Sequence, residues 1–371
     1  MIFKLRNILF ILSVFTLLLS ACRKEDPPTD PSSGNELYFP PIKSEEWASS
    51  TPEEHGWNMG ASDDLFTTLS DNGTRAFIIL KDGKIVIEKY WGKNILNSAD
   101  FNANSQWYWA SAGKTISAFL IGLAQQEGLL HINNKTSDYL GVGWTSLLKE
   151  KEDLITIRHQ LTMTTGLDYT VPDMYCTDPE CLQYKTDAGE QWYYHNAPYT
   201  LLKDVIAAAS GSDENTFCDE KLEAPTGMNG TWIYDGTNNV YWSKARDMAR
   251  FGLLILNKGN WDGKQIMSDE DYFTDMITPS QDINPSYGYL WWLNGQDKVM
   301  YPGVPIALNR WLSPDAPADL IVAAGKNGQF LDIVPSLNLI VVRMGEAPDG
   351  SAVPILFHNE MWKKLNPLIG R

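Results

Sequence analysis

Short apolar blocks at both ends of the body of this chain give way to helical periodicity in its middle. Residues 76–80 and 84–90 are β-rich runs joined by Lys81-Asp82-Gly83, and Asp-Gly is a strong tight-hairpin signal. Towards the other end, residues 287–293, 319–324, 329–334 and 339–344 read as strands, with Pro335-Ser336-Leu337-Asn338 turning between the last two. Between these groups the period changes. Helices are predicted over 115–127, 157–163, 199–209 and 243–257, closed by Gly128, Gly166, Gly211 and Gly259, with a final one over about 354–364. Strands at both ends around a helical middle predict an α/β (α+β) fold: one antiparallel β-sheet built from both termini with flanking helices, plus an inserted all-helical region. The sheet part is expected at about 51–108 and 280–371 and the helical part at about 109–279.

The first residues follow another pattern. Lys4 and Arg6 precede an apolar run over 8–19, a length that suits a signal-peptide core and is short for a bilayer span. The run ends in Leu19-Ser20-Ala21-Cys22, which resembles the lipobox of bacterial lipoproteins. That resemblance implies cleavage before Cys22 and lipid attachment at its thiol. An ordinary secretory signal cut after Ala21 is the other reading, and either one exports the chain. Residues 1–22 are thus expected to be a lipoprotein signal peptide, with a membrane as partner through the lipid anchor, where each buried CH₂ contributes about 0.8 kcal/mol. Residues 23–50, opening with the Pro-rich, charged stretch 23–34, are expected to be a flexible tether, leaving 51–371 as the folded domain. The expected address is the bacterial cell envelope.

Charge and cysteines narrow the classes. The formal charge is −16, and loss of Lys4 and Arg6 makes it more negative, which argues against nucleic acid as a partner. Cys176 and Cys181 flank Thr-Asp-Pro-Glu, a turn-forming segment able to bring two Cα atoms into disulfide range. In an oxidising compartment a bridge is expected there, with two free thiols as the alternative. No Cys or His pair sits at metal spacing and there is no His-Glu-x-x-His, so no metal site is expected. The sequence carries no signal of oligomeric state.

The chemistry begins at Ser111-Ala112-Gly113-Lys114. Serine three residues before lysine in a helix's first turn puts both side chains on one face, where the amine can take the hydroxyl proton. That requires a lysine pKa lowered by burial and by nearby positive charge. Ser146-Leu147-Leu148-Lys149 matches too, but its lysine lies in the charged run 149–153, and a solvated lysine keeps its proton. Such an enzyme needs two more elements. Tyr194-His195-Asn196 supplies a Tyr-x-Asn, whose phenol near two lysines is expected to have a depressed pKa and to shuttle protons. Lys326-Asn327-Gly328 supplies a Lys-x-Gly, although Asn-Gly is a hairpin turn in its own right. Ser111, Tyr194 and Lys326 occur in the order this chemistry uses. His195, Trp192 and Asn327 are candidate pocket residues; the surrounding tryptophans and tyrosines either wall a pocket or fill the core.

Here the chain resembles the serine β-lactamase and penicillin-binding-protein superfamily, on the branch holding class C β-lactamases, D-aminopeptidases, esterases and aminohexanoate-dimer hydrolases. Residues 109–115, 127–130, 157–167, 245–252, 287–292 and 325–335 carry similar segments. The resemblance implies that Ser111 attacks a carbonyl, that Lys114 and Tyr194 move the proton, and that Asn196, Lys326 and Gly328 support them. Backbone N–H groups of Ser111 and Gln329 would form the oxyanion hole. It implies a serine hydrolase cleaving a small-molecule or peptide ester or amide through an acyl-serine, without a cofactor, which the N-terminal pattern expects to be exported. The alternative is a non-catalytic or slowly turning over lipoprotein that binds cell-wall peptide or penicillin. Asn327, where a hydroxyl residue is usual in β-lactamases, and His195, where a small residue is usual, leave the substrate open.

Overall fold

The computed structural model describes residues 37–351 and 353–371. The expected signal peptide and lipobox with Cys22, and residues 23–36 of the expected tether, lie outside the described residues. The strands are β1 (Thr74–Lys81), β2 (Lys84–Tyr90), β3 (Gln106–Tyr108), β4 (Gly230–Asp235), β5 (Asn238–Lys244), β6 (Asn260–Trp261), β7 (Lys264–Gln265), β8 (Trp292–Leu293), β9 (Ile321–Gly325), β10 (Gln329–Val334) and β11 (Leu339–Gly345). Six of them form an antiparallel sheet in the order β2-β1-β11-β10-β9-β8. The β1–β2 hairpin turns through Asp82 and Gly83, both at positive φ, as a tight Asp-Gly turn requires. Pairing of Ile78 with Val342 and of Lys81 with Leu339 joins that hairpin to the C-terminal strands.

Strands β10 and β11 are buried along their whole length, so both faces of the sheet are covered. On one face the helix Ala245–Leu256 packs so closely that a Cβ on Gly252 would lie 2.7 Å from Leu331. Asp332, the next residue and so on the other face, receives a hydrogen bond from Trp362 of the helix Ile355–Ile369. A helix absent from the sequence reading, Ser62–Asp71, leads into β1; another, Glu270–Met276, precedes β8.

The inserted region is not all helical. Strands β4 and β5 form a hairpin there and pair with β3, from the expected sheet part, as a second sheet, in which Trp107 registers with Ser243 and Trp232 with Tyr241. The strand expected over 287–293 is instead a tight reversal: Tyr287 bridges Trp292, Leu290 adopts φ 61°, and β8 alone reaches the sheet. Its aromatic side chains pack into the core rather than alternating across a sheet. The tether ends earlier than expected. Leu37, Phe39 and Trp47 pack against the core, Tyr38 N–H donates to Asp82 O at 3.0 Å, and Ser50 N–H donates to Ile85 O at 3.0 Å. The apolar residues of 37–47 explain the difference, since their burial outweighs the disorder favoured by the flanking prolines.

Candidate active site

Ser111 lies in a 3₁₀ turn, Ala110–Gly113, that runs directly into the helix Lys114–Gln126. Ala110 adopts φ 49°, a conformation unfavourable for a residue with a Cβ, so its surroundings must hold it. Trp109 N–H donates to Tyr241 O at 2.8 Å, and its indole N–H donates to Ser243 Oγ at 2.8 Å. From the other side the last residue of β9, Gly325, presses on the turn. A Cβ there would sit 2.5 Å from Trp109 O and 3.2 Å from Ser111 N. Only glycine lets the sheet edge lie against the serine.

The Lys114 amine donates to Ser111 Oγ at 3.3 Å. Lys114 is 4 % exposed, and burial alone brings its amine down to about 7. Among the described residues no neighbouring cation adds the expected contribution; aromatic faces lie by the nitrogen instead, Tyr199 at 4.0 Å and Tyr194 at 5.4 Å. The Tyr194 phenol hydrogen-bonds with Ser111, but its pKa is raised, not depressed, because burial disfavours the phenolate more than that bond favours it. Tyr194 is therefore a proton donor at neutral pH. Asn196 opens the short helix Asn196–Thr200 and lines the same cleft.

Lys326, Asn327 and Gly328 form the turn between β9 and β10, with Asn327 at φ 63° and Gly328 at φ 76°. Two clamps fix it. Asn327 Nδ2 donates to Tyr108 Oη at 2.7 Å, and the Arg343 guanidinium donates to the carbonyls of Asn327 at 2.6 Å and Gly328 at 2.8 Å. Arg343 reaches further, to Thr74 Oγ1, Asn72 O and Glu346 O, and burial lowers it to about 9. Its signal in the sequence is one charged residue inside the apolar run 339–344. The Gln329 side chain locks the first residue of β10 to Gly345 through two hydrogen bonds, at 2.6 and 2.9 Å, which fixes the backbone beside the serine turn.

The cleft over Ser111 holds about 300 Å³ and is lined by Tyr108, Ala110, Ser111, Lys114, Tyr175, Asn196, Ile233, Asn238, Asn239, Val240, Trp242 and Lys326. None of these is acidic. Much of its wall comes from the β4–β5 hairpin, which the sequence reading missed. Cys176 and Cys181 are bonded, and Cys176 directly follows the cleft residue Tyr175. Three expected pocket residues do not line the cleft. Trp192 packs edge-on to Tyr287 and Trp292, and Asn327 is turned to Tyr108. His195 is 3 % exposed with neither ring nitrogen partnered among the described residues, and burial lowers it to about 4. Most of the aromatic cluster is core: Trp107, Trp109 and Trp291 are buried.

Two look-alikes separate from this site. Lys149 is exposed and paired with Asp153, while Ser146 Oγ donates to Leu182 O. Ser313, His358 and Asp332 form a hydrogen-bonded row with distances of 2.6 and 2.9 Å, yet all three are 0 % exposed. A nucleophile without access to substrate serves packing, here pinning the helix Ile355–Ile369 to β10.

Comparison with known proteins extends this geometry. A family model, Beta-lactamase, matches residues 63–352. An uncharacterized protein of Alkalihalophilus pseudofirmus is 26% identical over 302 residues, 73% of this chain and 83% of that protein. Penicillin-binding protein 4* of Bacillus subtilis is 28% identical over 195 residues, which are 46% of this chain and 41% of that protein, so the match spans less than half of that relative. A solved structure described as a proposed 6-aminohexanoate-dimer hydrolase from Bacillus anthracis superposes with a TM-score of 0.62 at 18% identity, covering 89% of each chain. That likeness speaks for the fold.

Proposed function

The chain belongs to the beta-lactamase family of serine hydrolases, and from that premise we propose that it cleaves a carboxylic ester or amide through an acyl-serine at Ser111, as an exported, lipid-anchored enzyme of the cell envelope. One observation carries the chemistry: a buried amine, brought to about 7, hydrogen-bonded to a serine hydroxyl at 3.3 Å on the floor of a cleft. The Ser111 Oγ–H proton passes to Lys114 Nζ as Oγ bonds the carbonyl carbon. Backbone N–H groups of Ser111 and Gln329 receive the oxyanion, while Asn196 and Lys326 orient the carbonyl and the rest of the substrate. As the tetrahedral adduct collapses, the leaving group takes the Tyr194 phenol proton and the Lys114 ammonium restores it. Water then releases the acyl group by the reverse transfers. With no carboxylate in the lining and five apolar or aromatic walls (Tyr108, Tyr175, Ile233, Val240, Trp242), the cleft suits neutral or anionic donors bearing an apolar group.

Ser111→Ala tests this reading. We expect hydrolysis of p-nitrophenyl butyrate to fall at least ~10³-fold and fluorophosphonate labelling to vanish; retention of both would assign the nucleophile elsewhere. The same lack of a cleft carboxylate favours a second reading, slow deacylation after reaction with penicillin. Intact mass after penicillin exposure decides between them: a persistent adduct supports that reading, and an unmodified mass removes it.

A further inference from the structure

We propose that Glu214 is a positioning residue for proton transfer at Ser111: a buried carboxylate one helical turn behind Lys114 that stabilises the ammonium formed when the amine takes the serine proton. The inference rests on Ser111 and Lys114 acting as proposed above. Glu214 opens the helix Glu214–Cys218 and is 2 % exposed. Its Oε1 accepts from Ser117 Oγ at 3.3 Å and its Oε2 from Asn239 Nδ2 at 2.9 Å. Ser117 stands three residues after Lys114, so both project from one face of the helix Lys114–Gln126. Tyr199 closes the connection. Its hydroxyl lies 3.4 Å from Ser117 Oγ, and its ring face lies 4.0 Å from Lys114 Nζ. At the other end Asn239 lines the cleft, while its Oδ1 is buried with no hydrogen-bond partner among the described residues.

Amine, aromatic face, hydroxyl and carboxylate thus run in contact beneath the nucleophile. Among the described residues no lysine or arginine nitrogen is within ion-pair distance of Glu214, with Lys203 and Asp204 acting only from further away. Tyr199, Tyr234 and Cys218 are the other titratable groups facing it. A buried carboxylate without a cation is unfavourable by several kcal/mol, whereas a glutamine here would accept from only one of Ser117 and Asn239 and face the other with its own N–H donors. A cation does appear once per acylation, when the proton leaves Ser111 Oγ for Lys114 Nζ. The carboxylate then faces an ammonium across the Tyr199 ring, whose attraction for a cation adds to the effect. Burial brings Glu214 up to about 7, opposed by the Asn239 and Ser117 hydrogen bonds, into the range where the Lys114 amine titrates.

Glu214→Gln tests the proposal through the pH dependence of kcat/KM for p-nitrophenyl butyrate, read beside the rate of fluorophosphonate inactivation. Without the carboxylate the ammonium is less stable, so the amine holds its proton less tightly. We expect the acid limb of both profiles to move down by about one pH unit and the plateau to fall roughly three- to tenfold because the base is weaker. Glu214→Asp should return part of the shift. A merely structural Glu214 would lower the unfolding temperature and leave the limb in place. An acid limb that superimposes on the parent's, or moves up, overturns the proposal. Should Glu214→Gln fail to fold, Glu214→Asp carries the test, because it keeps the charge but draws it back by one methylene; its acid limb should move down by less than the full shift, and an unmoved limb is equally decisive. If Ser111→Ala still hydrolyses the ester, the underlying reading fails; if it is inactive while the Glu214→Gln limb stays put, only this inference fails.

Discussion

At the scale of single residues, the conflict between stability and chemistry is concentrated in Lys114. In an unfolded chain a lysine holds its proton up to about pH 10.4, whereas in the fold burial brings the amine to about 7. Between those values the unfolded state binds a proton that the folded state does not. Stability is therefore lost as pH falls from about 10.4 to about 7, and it changes no further through this group below that. Lys114→Met removes the penalty and keeps the volume. We expect the variant to be inactive yet to unfold a few degrees higher at pH 7, with the gap closing towards pH 10; thermal unfolding at both pH values measures it. A lower midpoint at pH 7 would mean that the hydrogen bond to Ser111 outweighs the desolvation of the amine. The parent enzyme's kcat/KM should correspondingly fall below about pH 7, as the amine that must accept the serine proton becomes charged.

At the scale of elements, the proposed catalytic triplet was legible because each part sits on a local pattern: a small-residue helix start at Ser111, a pre-helical Tyr194-His195-Asn196, and a turn at Lys326 between two β-rich runs. Its supports were not legible, since they come from distant elements. Nothing near residue 343 says that an arginine inside a strand will hold a turn some fifteen residues upstream, and nothing near 230–244 says that a hairpin will wall the cleft. The depressed pKa expected for Tyr194 failed for the same reason: proximity to two lysines can be guessed from motifs, but the burial that reverses the shift belongs to the assembled core. His195 shows the converse, a motif-internal residue that tertiary packing turns away from the cleft. Arg343→Lys tests the support directly. A lysine has three donors where the guanidinium uses a fixed fork on five acceptors. We expect a stability loss of about 2–3 kcal/mol in urea unfolding and a fall of at least about tenfold in kcat/KM as the Lys326 turn loosens. Stability lost with kcat/KM unchanged would separate the turn from catalysis.

At the scale of the molecule, residues 37–50 join parts that the sequence reading kept apart. Arg250, on the helix that covers the main sheet, donates to the carbonyls of Pro40, Pro41 and Ser44 and lies over the Trp47 ring. Arg246 of the same helix donates to Glu45 O, and Phe39 meets Trp261 edge-on at 5.1 Å. The segment then runs beside β2, bridging Ser49 to Ile85. It therefore ties the first hairpin to the helix Ala245–Leu256, and that helix follows directly on β5, whose Tyr241 and Ser243 hold the serine turn through Trp109. A chain beginning at Thr51 would leave the Arg250 guanidinium short of three acceptors and expose the surface under Trp47. Compared with a chain beginning at Leu37, it is expected to unfold at least about 5 °C lower and to lose activity in proportion to the unfolded fraction. Equal midpoints in differential scanning calorimetry would make residues 37–50 dispensable to the fold and return them to the tether.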